Sequence, residues 1–494
     1  MTCDRVMIAA PKSGSGKTML TCGLLRCLQR REKNPVAFKS GPDYIDPMFH
    51  TKVLGVPSQN LDLFFSEEET VRMLFQKATV NAGIAVIEGA MGYFDGMRLD
   101  STKASAYELS LVLQTPVIFV VDAKGMGYSV TALLKGLQKF RENAPVKGVI
   151  LNRISPSLCE RLKPVIEKET GLFVLGCMPN MPKNSFSSRH LGLLQPSECE
   201  ELEEKINRIA DALEETVEIE KILTLAKEGE ADNAKEDFAG DGKIESKTEN
   251  FKNAFLLNEA NAVPFLANKK KQISIAVARD AAFSFYYEDN LNVLQEMGAK
   301  LLYFSPLRDK KIPDHACGLL LGGGYPELYL EELSKNTSML QDIREANEKK
   351  MPILAECGGF LYLLSKVLDQ KKEQSYPLVG LIQAEGFYTG KLTRFGYVSL
   401  EANEKGMQPK TGEEGAYFEA QKALHGMKGH EFHYYDTTDN GNDMLAIKPS
   451  SSATYPCMHV NDHLVCGFAH LYYRSRMEFV DWFLKKADAW KNNL

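Results

Sequence analysis

The sequence predicts an α/β protein of two domains, the first built on a sheet of buried parallel strands. Three observations carry that expectation. Short apolar runs alternate with helical stretches from residue 1 to about 225. A polar stretch without hydrophobic period interrupts them, and a second strand–helix alternation starts at 273. The chain has 494 residues, too many for one ordinary core.

The runs in the first half are "RVMIAA", "PVAFKS", "IAVIEG", "PVIFVVD", "KGVILNR" and "LFVLGCMP". Several show almost no polar alternation, as expected of strands covered on both faces. From about 225 to 272 the chain, with "KEGEADNAKEDFAGDGKIESKTEN" as its charged part, reads as a solvated linker, within which "AVPFLA" (262–267) is able to dock on a domain. "ISIAVARD", "KLLYFSP", "CGLLLGGG" and "PILAECGG" open the second alternation. The expected division is a P-loop domain at 1–225, a polar linker at 226–272 and a second α/β domain at 273–494, with no internal repeat.

Composition narrows the class. Hydrophobic content of 44% and charged content of 25% are those of a globular protein, and a net charge of −6 gives no reason to expect nucleic acid or an anionic membrane as partner. No run of 18 apolar residues offers a membrane span. The ten cysteines are scattered without a C-x-x-C pair, and "MTCDRVMIAA" enters a strand without a basic leader. Together these predict a cytoplasmic location.

"KSGSGKT" (12–18) lies between the first strand and a helix, the context that makes it a phosphate-binding loop. Gly14 and Gly16 let backbone N–H groups, with those of Ser13 and Ser15, converge on phosphate oxygens at a helix N-terminus. Lys17 would meet the β- and γ-phosphates of ATP and the Thr18 hydroxyl would ligate Mg²⁺. Pro11 replaces the first glycine of the usual pattern, so the loop is a variant. In such variants a lysine at the position of Lys12 can serve a neighbouring subunit, which would make a homodimer the functional assembly; a solvated lysine is the plainer reading. Asn152, ending "GVILNR", is placed to touch the nucleotide base.

Beyond the second strand, "FKSGPDYIDPMFH" (38–50) is expected to be a stiff loop, because Pro47 disfavours the helical region for Asp46. It carries Asp43 and Asp46 to the carboxyl edge of the sheet, where ligands bind in open α/β folds. Glu88 ends "IAVIEG" and Asp95 follows in "GYFDG". Acids at successive strand ends beside an ATP phosphate supply the hard oxygens that Mg²⁺ requires. Singly, each would more often be a turn former.

In the second half, "MPILAECGGFLYLLS" (351–365) reads as strand, sharp turn and helix with Cys357 at the turn, the geometry of a nucleophile elbow. A helix N-terminus there favours a thiolate and an oxyanion. "LLLGGGYPELY" (319–329) brings Gly323 and Gly324 as backbone donors for an oxyanion hole, with Gly358 beside the nucleophile. "LVCGFAHLYY" supplies His470 as base; "GHEFHYY" (429–435) is a weaker candidate. A thiol nucleophile joined to an ATP site suggests that one domain frees ammonia from an amide and the other activates a carboxylate to receive it.

"APKSGSGKT", "FKSGPDYIDPMFH", "VIEGAMGYFDG", "FVVDAKGM", "RHLGL", "IAVARDAAFSFYY", "FSPLRD", "LGGGYPELY" and "AECGG" occur in that order. In them the chain resembles the cobyrinic acid a,c-diamide synthases, amidotransferases of corrinoid biosynthesis, over nearly everything outside the linker. The resemblance implies a dethiobiotin-synthetase-like N-terminal domain and a class I glutamine amidotransferase-like C-terminal domain. It implies ATP-dependent amidation of the a- and c-carboxylates of cobyrinate through an acyl phosphate, with glutamine as donor. By position, Cys357 would form the glutamyl thioester with His470 as base, and Lys17, Thr18, Asp43, Asp46 and Glu88 would serve phosphate, metal and substrate carboxylate. The chain departs from the family in its short "MRLDSTKASAYELS" segment and in Leu471–Tyr472 after His470.

Rival readings keep the machine and change the substrate: hydrogenobyrinate, a nickel sirohydrochlorin, or the substrate of cobyric acid synthase. A ParA- or MinD-like ATPase switch is a rival of another class, and it leaves the Cys357 domain without a task. Ammonia has to reach the acyl phosphate unprotonated, so a closed interface between the domains during turnover is expected.

Overall fold

The computed structural model describes residues 3–141, 143–181, 196–229, 273–404 and 414–492. The chain divides into two units, Met1–Gly242 and Lys243–Leu494. "RHLGL", "AVPFLA" and all but the first four residues of the expected linker lie outside the described residues.

The first unit holds seven parallel strands in the order β3-β2-β4-β1-β5-β6-β7: β1 (Asp4–Ala9), β2 (Pro35–Ser40), β3 (Ser58–Leu61), β4 (Ile84–Glu88), β5 (Val117–Asp122), β6 (Val146–Asn152) and β7 (Phe173–Met178). Alternate strand residues enter different cores. Val6 and Ile8 pack with Leu20 and Leu24 of α1 (Lys17–Arg30), whereas Met7 and Ala9 pack with Val71 and Leu74 of α3 (Glu68–Thr79). Burial on both faces explains the unbroken apolar runs.

One strand carries no sequence signal, and one local expectation needs correction. "SQNL" forms β3, a strand at the sheet edge whose polar composition gives no apolar signal. The segment bearing Asp46 is not a stiff loop: α2 (Ile45–Leu54) includes Asp46 and Pro47. Pro47 is the third residue of the helix, and first-turn N–H groups have no intrahelical acceptor, so its missing donor costs the helix nothing there. The Asp43 carboxylate accepts the Ile45 N–H at 2.8 Å and closes the turn that starts α2.

The second unit has a six-stranded sheet in the order β10-β8-β11-β13-β23-β22: β8 (Ile273–Ala278), β10 (Ala299–Phe304), β11 (Gly318–Leu321), β13 (Ile353–Glu356), β22 (His459–Val460) and β23 (Leu464–Gly467). Its pairings are parallel except β22 with β23. A short pair joins β12 (Gly323–Gly324) to β9 (Phe283–Phe285). A five-stranded antiparallel sheet includes β17 (Arg394–Ala402), β18 (Lys428–His433) and β24 (His470–Leu471). The sequence reading does not contain that sheet, because its strands alternate buried and solvent-facing residues or are only two residues long.

Candidate active sites

β1 runs directly into the phosphate loop. Gly16 has φ 98°, a left-handed conformation that suits glycine, and α1 begins at Lys17. The Lys17 ammonium donates to the Met91 carbonyl at 2.5 Å and to the Lys12 carbonyl at 3.4 Å. Burial, then the neighbouring Lys39, pushes its pKa down to about 8. The Ser15 hydroxyl donates to the Lys12 carbonyl at 3.0 Å, while Lys12, Ser13 and Gly14 face solvent.

Asn152 stands beneath this loop. It is fully buried; its side-chain amide donates to the Ser15 carbonyl at 2.8 Å and its oxygen accepts the Arg153 N–H at 2.9 Å. A Cβ at Gly16 would run into that amide. Asn152 thus braces the loop from beneath, at the strand end where the sequence expects a contact to the nucleotide base.

The carboxylates gather on one lysine that the sequence reading overlooked. Lys39 of β2 is the register partner of Glu88 of β4, so the two side chains leave the sheet on one face. The Lys39 ammonium donates to Glu88 Oε1 at 2.9 Å and pairs with the Asp46 carboxylate. Burial opposes its charge, but Asp46 and Glu88 outweigh that and hold its pKa above the ordinary lysine value. Burial likewise opposes the Asp46 carboxylate, and Lys39 overrides it and keeps Asp46 below the usual range. Glu88 goes the other way: burial and the Asp46 charge raise it to about 7. Asp43 rises to about 6 for the same two reasons.

The Thr18 hydroxyl donates to Glu88 Oε1 at 2.6 Å. Glu88 Oε2 is buried without a hydrogen-bond partner, and the His50 ring nitrogen stands 3.7 Å from it. A hydroxyl and an unsatisfied carboxylate oxygen beside the phosphate loop fit a Mg²⁺ that completes its shell with phosphate and water. Among the described residues no group of three or more His, Cys, Asp or Glu side chains forms a metal cage by itself. Asp43 turns to its own helix start, and Asp95 accepts the Gly92 N–H at 2.8 Å.

In the second unit Cys357 has φ 50° and ψ −103° between β13 and the helix Gly358–Leu363. That strained backbone is the expected elbow. Its tightness is visible in the glycines: a Cβ at Gly358 would lie 3.0 Å from the Gly324 nitrogen and 2.8 Å from Pro326, and one at Gly323 would strike the His470 ring. Gly358, Gly324, Gly323 and His470 thus form one continuous contact chain leading from the thiol. His470 is the register partner of His430 across β24 and β18. Burial, then His430 and His433, lowers its pKa to about 3, so its imidazole is neutral. His433 stacks on Phe468 with centroids 3.9 Å apart, a core role for the weaker "GHEFHYY" candidate.

Burial, then Glu327, raises the Cys357 thiol well above its ordinary value. Glu327 is itself lifted to about 7 by burial. It sits in "GGGYPELY", next to the Pro326 that packs on Gly358, and no sequence signal separates it from any other loop acid.

Residues 6–193 match the family described as the CobQ/CobB/MinD/ParA nucleotide binding domain, and 274–476 match the CobB/CobQ-like glutamine amidotransferase domain. Over 490 residues the chain is 36% identical to the cobyrinate a,c-diamide synthase of Caldanaerobacter subterraneus subsp. tengcongensis, covering 99% of both chains. The chain belongs to the cobyrinate a,c-diamide synthase family. The synthase of Clostridium tetani is 33% identical over 97% of this chain and 99% of its own, and that of Picrophilus torridus 33% over 98% and 99%. As in this family, the chain joins a nucleotide-binding half to a glutamine-hydrolysing half, the composition of an amidating ligase. No described helix is long and apolar enough to cross a membrane.

Proposed function

We propose that the chain converts cobyrinate to its a,c-diamide, using ATP to activate each carboxylate and glutamine as nitrogen donor. The observation that carries the reading is the Cys357 elbow, with Gly323 and His470 in contact beside it, in a chain whose other half holds a phosphate loop. An ATPase switch has no use for that elbow.

The residues divide the work as follows. Gly14 and Gly16, with the N–H groups of Ser13 and Ser15, cradle the phosphates, and Asn152 props the loop. Lys17 leaves the Met91 carbonyl for the β- and γ-phosphates. Thr18 and Glu88 would hold Mg²⁺, which would neutralise phosphate charge; Asp46 and Asp43 line the same edge. A substrate carboxylate oxygen attacks the γ-phosphorus and ADP leaves. Positioning and charge stabilisation supply most of the acceleration in such a transfer.

Cys357 gives its proton to His470 and attacks the glutamine amide carbon. The oxyanion is held by N–H groups at Gly358 and at Gly323–Gly324. The amide nitrogen leaves as ammonia with the proton from His470, and water releases glutamate from the thioester. Ammonia then attacks the acyl carbon and inorganic phosphate departs. Each amidation consumes one carboxylate, ATP, glutamine and water, and yields amide, ADP, phosphate and glutamate. Exposed Lys12 suits a homodimer in which it reaches the neighbouring nucleotide, and the scattered thiols suit the cytoplasm.

The test is ATP turnover by purified protein with Mg²⁺, glutamine and cobyrinate, hydrogenobyrinate or nickel sirohydrochlorin in turn. Cobyrinate is expected to stimulate ADP release coupled to diamide formation. Turnover stimulated by another macrocycle and not by cobyrinate reassigns the substrate; stimulation by none of them overturns the ligase reading.

A further inference from the structure

The reading above requires a macrocycle beside Lys17, because the carboxylate that attacks the γ-phosphorus must lie where that lysine meets the phosphates. The loops around it expose three large apolar side chains. Met91, in the loop after β4, has φ 44°, a conformation that costs a non-glycine residue. The strained turn brings its carbonyl to the Lys17 ammonium and leaves its side chain exposed. The same loop is tied to the phosphate loop by the Tyr93 N–H, which donates to the Ala10 carbonyl at 2.8 Å.

Further along it, Leu99 is exposed to 111% of its reference area, flanked by an Arg98–Asp100 ion pair that holds the tip. Tyr128, 64% exposed, follows β5, the strand on the other side of β1. The neighbouring Arg153 links that strand end to the phosphate loop, donating to Asp122 at 2.8 Å and to the Gly14 carbonyl at 3.2 Å. Lone exposed hydrophobes need no explanation, but three large ones on loops leaving the carboxyl ends of the strands that flank the phosphate loop do. Lys103 and Lys124 are exposed on the same two loops.

Apolar side chains bordered by cations complement a flat hydrophobic ring that carries carboxylate arms. We propose that Met91, Leu99 and Tyr128 form the seat for the apolar face of the polycarboxylate macrocycle, with Lys103 and Lys124 meeting its peripheral carboxylates. The proposal rests on the ligase reading and deepens it by naming the substrate seat.

The test compares the wild type with the double variant Leu99→Ser, Tyr128→Gln and with Met91→Asn, asparagine being tolerant of the left-handed backbone. Cobyrinate binding is read by equilibrium dialysis without ATP, and KM is measured for all three substrates. The double variant is expected to weaken cobyrinate binding and raise its KM at least tenfold, about 1.4 kcal/mol, while KM for ATP and glutamine and the glutaminase rate stay at wild-type values. Met91→Asn is expected to raise the cobyrinate KM as well. Wild-type affinity in the double variant overturns the seat while leaving the ligase reading intact. A loss accompanied by dissociation in sedimentation overturns it too, because the patch then belongs to an interface between copies. Failure of the wild type to bind or turn over cobyrinate removes the ligase reading and the seat together.

Discussion

Lys39 is a charge inside an apolar strand, tolerable only because Asp46 and Glu88 close on it. Removing one member of such a set strands the others in a medium that cannot solvate them. Lys39→Met should therefore destabilise the first unit by about 3–5 kcal/mol, measured by urea unfolding followed by circular dichroism. An unchanged midpoint would mean that the acids find another cation. The sequence hid this residue because "PVAFKS" reads as a strand and gives no hint of what faces its lysine. Cys357 was legible because a residue between an apolar strand and two glycines announces a turn. The Glu327 charge beside it was not, since only the fold brings that acid to the thiol. Glu327→Gln should lower the thiol pKa and speed alkylation of Cys357 by iodoacetamide several-fold at pH 8, followed by mass spectrometry. An equal or slower rate would remove Glu327 as the source of the raised pKa.

At the level of elements, the elbow works only while β12 and β24 stay packed without intervening side chains. Gly323→Ala drives a methyl into the His470 ring. Glutamine-dependent amidation should fall at least tenfold, with the ammonium-dependent reaction kept; loss of both would point to a folding defect. The parallel strands of the first unit, and the strand–helix alternation of the second, could be read from their apolar runs. Strands with mixed faces could not, as β3 and the five-stranded sheet of the second unit illustrate. The helical start of α2 is hidden in the sequence because a proline ordinarily argues against helix, and only the first turn relaxes that constraint.

Across the whole chain, the two units carry separable signals. Both tryptophans, Trp482 and Trp490, lie in the second unit, so tryptophan fluorescence, excited selectively over tyrosine, reports its unfolding alone. That unit holds a neutral Glu356, raised from 4.5 to about 8 by burial. A carboxyl raised on folding contributes stability that is complete below its unfolded pKa and is lost as pH rises toward the folded value. Glu356→Gln removes the titration. The stability difference should move in the variant's favour by up to about 1.4 kcal/mol per pH unit from pH 4.5 toward 8, and a pH-independent difference would show that Glu356 is ionised in the fold. The alternation of strands and the polar interruption made the two-unit organisation legible, whereas the identity of the macrocycle is written in surface shape, which no motif encodes.

The division of labour between the units is tested most directly by Cys357→Ala, assayed with ATP, Mg²⁺ and cobyrinate against glutamine and ammonium in parallel. Loss of the glutamine-dependent reaction with retention of the ammonium-dependent one is the predicted result. Retained use of glutamine by the variant would contradict a Cys357 nucleophile and, with it, the two-site mechanism.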